Sequence, residues 1–97
     1  TTIYFYENYL NNEIGIVRFT KKKSAYYIHF NLEPALFGLG YGLKIVELSL
    51  RNFMFKNKSK VYGKVLNKNV SSKKIFEKLN FENKIYNNYI LYSKEFN

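Results

Sequence analysis

Phe37-Gly38-Leu39-Gly40-Tyr41-Gly42 lies between an apolar run that ends at Leu32 and a helical pattern that starts at Leu43. Three glycines at alternate positions between a strand and a helix leave successive backbone N–H groups uncovered by side chains. Such groups converge on an anion at a helix N-terminus, where the macrodipole is positive. The stretch reads as a phosphate or pyrophosphate cradle. The plain alternative is a tight strand-to-helix turn that holds nothing. The flanking chain decides between the two.

Upstream of the glycines, Ala25 to Leu32 alternates as a strand, with Tyr26, Ile28, Phe30 and Leu32 on one face and Tyr27, His29 and Asn31 on the other. Pro34 stops it, because proline cannot donate to a ladder. Further back, Ile3 to Tyr9 and Glu13 to Phe19 are joined by the turn signal Asn11-Asn12 and read as a β-hairpin, followed by a charged turn at Lys21-Lys22-Lys23-Ser24. Downstream, Leu43, Val46, Leu50, Phe53 and Met54 recur at helical spacing, so a helix is expected from about Gly42 to Phe55. Lys60 to Val65 is a fourth strand. A short helix capped by Asn69 or Ser71 follows, with Ile75, Phe76 and Leu79 inward and Asn80 as a left-handed stop. Short strands at Phe81-Glu82 and Tyr89 to Tyr92 close the chain. The expected order is β-β-β-α-β-α-β-β in one mixed α/β domain over residues 1–97.

Composition narrows the chemistry. With 97 residues, 46% apolar and 20% aromatic, the chain can bury one core. It has no cysteine, which rules out disulfides, thiolate metal sites and a Cys nucleophile. One histidine and seven carboxylates do not make a metal centre expected. No apolar run approaches the roughly 18–20 residues of a membrane span, and a cytoplasmic setting is expected. Thr1-Thr2 runs straight into strand residues without an initiator Met, as expected of a piece of a longer protein. The net charge of +9 reads either as attraction to a polyanion (nucleic acid, an anionic membrane surface or an acidic cofactor such as CoA) or as compositional drift, since Lys, Asn, Ile, Tyr and Phe are all heavily used. The basic residues are nearly all lysine, with only Arg18 and Arg51 as arginines, which suits drift better than bidentate phosphate recognition.

Two segments carry a resemblance. Glu33-Pro34-Ala35-Leu36-Phe37-Gly38-Leu39-Gly40-Tyr41-Gly42 is similar to the acetyl-CoA loop of the GCN5-related N-acetyltransferases (the GNAT superfamily), whose core pattern is Arg/Gln-x-x-Gly-x-Gly/Ala. Gly40 and Gly42 fill the glycine places, Phe37 stands at the Arg/Gln position, and Leu39 stands where Lys is common. Asn69 to Phe81 resembles the family segment Asn-x-x-Ser/Ala-x-x-x-Tyr-x-x-Leu-Gly-Phe, with Ser72 at the small position, Phe76 in place of Tyr and Asn80 in place of Gly. The resemblance covers nearly all of this chain. It corresponds to the C-terminal two thirds of the family domain, without its first strand and first two helices.

What the resemblance implies is an acetyl-CoA-dependent N-acetyltransferase acting on a primary amine of a small molecule, with an amino-sugar nucleotide as one candidate. Leu32, Phe37, Gly38, Leu39, Gly40, Tyr41, Gly42, Asn69 and Phe76 are the implied cofactor residues, and the Leu32 N–H is the implied oxyanion donor. The strand ending at Leu32 is expected to splay from Lys60–Val65, with the pantetheine in the gap. Tyr26 and His29 are the candidate bases. Phe76 cannot donate a proton to the departing thiolate. Two other readings stand beside this one: a GNAT-fold module that binds CoA or a partner protein without turnover, and a small basic nucleic-acid-binding domain. Missing helices would leave Tyr27, His29 and neighbouring aromatics on an apolar face for a homodimer or a fused domain to cover.

Overall fold

The computed structural model describes residues 1–8 and 10–97. The chain runs β1 (Thr2–Glu7), β2 (Glu13–Lys22), β3 (Ala25–Leu32), a 3₁₀ turn at Pro34–Leu36, α1 (Tyr41–Lys56), β4 (Lys60–Leu66), α2 (Val70–Lys78), β5 (Glu82–Ile85) and β6 (Tyr89–Glu95). This is the expected element order. The six strands form one mixed sheet in the order β1-β2-β3-β4-β6-β5. All neighbours are antiparallel except β3 and β4.

Several element ends differ from expectation. β2 runs on through Lys21 and Lys22, which pair with Tyr26 and Ala25. The turn is only Lys23-Ser24, made possible by the left-handed φ of 58° at Lys23. Lysine is tolerated there because its charged ends reach solvent on a rung whose backbone is paired. The first of the two closing strands is Glu82–Ile85, with Phe81 buried just before it. Tyr9, the expected end of the first strand, lies outside the described residues. Asn80 takes the left-handed φ of 63°, and its N–H bonds to the Glu77 carbonyl.

Both helices pack on the sheet face that carries Tyr26, Ile28 and Phe30. On α1, Ile45, Val46, Ser49, Leu50, Phe53 and Met54 are buried at three-and-four spacing. Phe53 stacks on Phe19 with ring centroids 4.2 Å apart and meets Tyr26 edge-on. Ser49 is fully buried and bonded to the Tyr6 hydroxyl, so its polarity is satisfied. On α2, Phe76 stacks on Tyr92 and meets Phe81 edge-on. Its ring lies over Gly63, where an added Cβ would fall 2.2 Å from the ring tip. Gly63 is therefore a glycine of close approach inside a strand. The opposite face carries Ile3, Phe5, Ile16, Tyr27, His29, Tyr62 and Leu91, and no helix among the described residues covers it.

Candidate functional site

β3 and β4 pair at only two positions, Tyr26 with Val61 and Tyr27 with Tyr62. Beyond these rungs the strands part. The Glu33 N–H bonds to the Ile14 carbonyl at 2.9 Å on the β2 side. Alternation along the strand turns the N–H groups of Leu32 and Phe30 the other way, into the gap that β4 has left. These are main-chain donors that the sheet does not use.

The gap opens into a cleft of about 610 Å³. Its walls are the end of β3 (Phe30, Asn31, Leu32), the glycine loop and α1 start (Phe37, Gly38, Gly40, Gly42, Leu43), and the α2 start from Asn69 to Ser72 with Lys74, Ile75 and Lys78. Gly38 and Gly40 have φ of +80° and +84°. Gly40 is the residue before α1, and no side chain caps the helix. The first-turn N–H groups of α1 thus have neither an internal partner nor a side-chain cap. A Cβ at Gly38 or Gly40 would meet nothing within 4 Å. Glycine is needed at both for the backbone turn, and the space in front of both is open. Gly42 differs: it lets α1 and α2 approach, since a Cβ there would sit 3.0 Å from Ile75 Cδ1.

Asn69 caps α2 by accepting the Ser72 N–H at 3.3 Å, with the Ser71 hydroxyl on the same oxygen. Among the described residues, the charged ones lining the cleft are Lys74 and Lys78, and no carboxylate lines it. The field in the cleft favours an anion.

Of the residues expected to meet a cofactor, Leu32, Phe37, Gly38, Gly40, Gly42 and Asn69 share this cleft. Leu39 and Tyr41 point to solvent from the same loop, outside the lining. Phe76 is placed elsewhere: it is 2% exposed and wedged between Gly63, Tyr92 and Phe81. The apolar face of a nine-residue helix has to bury its largest ring, and that need draws Phe76 into the core.

Tyr26 lies at the paired end of β3. Its hydroxyl donates to Asn57 at 3.4 Å, roughly 20 Å along the strand from Leu32 at about 3.3 Å per residue. The strand carries this candidate base to the far end of α1. His29 is on the sheet face away from both helices, beside Arg18 on β2. Partial burial, and then the positive charges of Arg18 and Lys22, hold its pKa below the usual imidazole value. The cleft residues that the sequence reading did not assign to the cofactor are Phe30, Asn31 and Leu43, and, at the start of and along α2, Val70, Ser71, Ser72, Lys74, Ile75 and Lys78; the charged ones are Lys74 and Lys78. Their signal was the i, i+4 spacing of the two lysines, which reads equally well as a solvated helix face.

A split mixed sheet with an uncapped helix start at the mouth of the split is what distinguishes this fold. Comparison with solved structures agrees, and the chain has the fold of the GNAT acetyltransferases. It superposes on the spermidine N-acetyltransferase of Vibrio cholerae with a TM-score of 0.84 at 16% identity, covering 96% of this chain and 63% of that one. A GNAT-family acetyltransferase of Bacillus anthracis gives 0.80 at 18% identity, covering 91% and 61%. The ribosomal-protein-S5-alanine acetyltransferase of Vibrio fischeri gives 0.76 at 21% identity, covering 91% and 57%. The chain thus spans less than two thirds of the length of these three solved chains. No protein-family model and no curated protein matches the sequence. No helix among the described residues is long and apolar enough to cross a membrane.

Proposed function

We propose that these residues form the cofactor half of an N-acetyltransferase that moves an acetyl group from acetyl-CoA to a primary amine of a small molecule. One observation carries this reading: β3 and β4 part after two rungs, and the split leads to positive-φ glycines at an uncapped helix. The pyrophosphate sits on the loop amides from Gly38 to Gly42. The pantetheine arm runs into the split, where it meets the unused N–H groups of Phe30 and Leu32, and Asn69 faces it from α2. A neutral amine attacks the thioester carbonyl carbon. The carbonyl oxygen becomes an oxyanion held by the Leu32 N–H. Collapse forms the amide and expels the CoA thiolate, and the nitrogen loses one proton.

Two expected roles change in this reading. Tyr26 is too far from the split to act as a base. His29 stays a candidate, acting through water, because its lowered pKa leaves it neutral at pH 7 on the face from which an acceptor can reach the split. Phe76 offers no proton to the thiolate, so the thiolate takes one from water or the one that the attacking nitrogen loses. An amino-sugar nucleotide stays one candidate acceptor. The helix-free sheet face is read as covered in the working protein by further chain or by a second copy. The V. cholerae enzyme is described as dodecameric, and sedimentation of this chain alone tests self-association.

Isothermal titration of the chain with acetyl-CoA and with CoA tests the site. Binding is expected, together with its loss in Gly40→Val, which cannot hold the left-handed turn. Absence of binding at millimolar ligand overturns the reading for this chain. A second reading, CoA binding without turnover, is favoured by one fact: the ionisable side chains lining the cleft are lysines. Steady acetyl-CoA consumption across an amine panel would eliminate it.

A further inference from the structure

Phe37 and Leu39 put apolar side chains on the glycine loop, so the loop offers an anion only its main-chain N–H groups. The cationic side chains lining the cleft stand on the opposite wall, at Lys74 and Lys78 of α2. Four residues apart, they share one helix face about one turn apart. Both are exposed, so their ammonium groups can swing into the cleft, and no carboxylate lines it to neutralise them.

We propose that Lys74 and Lys78 are the specificity residues for the 3′-phosphate of CoA. This rests on the CoA reading of the cleft. CoA carries two separate anionic groups, and the loop amides can surround only the pyrophosphate. The ribose 3′-phosphate is a compact monoester dianion. It suits two mobile ammonium point charges better than it suits a planar fork. Negative charge presented from the adenosine end meets a positive wall only on α2. The split sheet grips the neutral pantetheine arm, and α2 reads whether the nucleotide carries its third phosphate.

The test is titration calorimetry with CoA and dephospho-CoA, which differ only in that phosphate, on the parent chain and on Lys74→Gln/Lys78→Gln. The parent is expected to prefer CoA by about tenfold, the factor that about 1.4 kcal/mol represents. The preference should shrink as salt is raised. The double variant is expected to bind the two ligands alike. Both substitutions are on the exposed face of α2, and an unchanged melting curve checks that the fold is intact. A parent without preference, or a double variant that keeps it, overturns the assignment while leaving the CoA site standing. Failure of the parent to bind either ligand overturns the cofactor reading, and this assignment with it.

Discussion

The two ends of β3 do different work. At Tyr26 and Tyr27 the strand is hydrogen-bonded to β4 and its side chains are packed: Tyr26 against Phe53, and Tyr27 stacked on Tyr62 at 5.3 Å. At Phe30 to Leu32 the partner strand has gone, and the main chain faces an open cleft. The paired end is rich in hydroxyl-bearing aromatics yet structural. The parted end has no reactive side chain, but it holds the groups suited to chemistry, because they are backbone N–H donors. In the proposed reading, the pairing pattern rather than a residue's chemical type points to the end that holds the site.

Phe76→Ala should disturb this contrast most. It removes the ring that fills the space between α2 and β4 just where the strands part, at about 3–5 kcal/mol for a buried aromatic. A fall in melting temperature of more than about 12 °C is expected by circular dichroism, at about 4–8 °C per kcal/mol for a domain this size. Gly63→Ala comes next. Its methyl would meet the Phe76 ring at 2.2 Å, and overpacking of this kind costs about 1–3 kcal/mol. Gly38→Ala sharpens the comparison, since its methyl has open space but its φ is +80°. About 1 kcal/mol of strain should lower stability less than Gly63→Ala does, while CoA affinity falls more.

Tyr26→Phe should leave CoA affinity unchanged and alter stability by under about 0.5 kcal/mol, since it deletes one long hydrogen bond. A large loss of affinity would mean that the paired end is part of the site. The smallest effect belongs to His29. Its folded pKa lies below its unfolded one, so below about pH 6.5 the unfolded chain binds the extra proton. Stability is then full above that pH and declines as pH falls through the window. The slope is modest because solvent screens this half-exposed group, and His29→Gln should remove it in melts across that range.

Much of this is legible in the sequence alone. Element order followed from the periods of 2 and 3.6. The turns at Gly38, Gly40 and Asn80 and the Asn69 cap were visible because each is a local backbone demand that few residue types can meet. Strand parity correctly put His29 opposite Tyr26. What stayed hidden depended on contacts between elements distant in sequence. Gly15, Gly42 and Gly63 are glycines because Asn31 and Ile45, Ile75 and Phe76 press against them, and nothing beside them in the chain announces those neighbours. Lys74 and Lys78 looked like any solvated helix face until the cleft lay in front of them. Phe76 matched a family position by spacing, yet its ring answers to core packing.

The two-rung pairing has a mechanical consequence. The sheet resembles a book whose spine is stitched at one end only: β1, β2, β3 and α1 make one cover, and β4, β5, β6 and α2 make the other. Away from the stitches, the covers meet through side chains such as Phe30 on Phe76 and Ile75 over Gly42. A molecule seated in the split touches both covers and acts as a clasp. Its binding free energy adds to what holds the halves shut, by RT ln(1 + [L]/Kd). Hydrogen exchange should show this as slowing shared by both covers and concentrated along their facing edges.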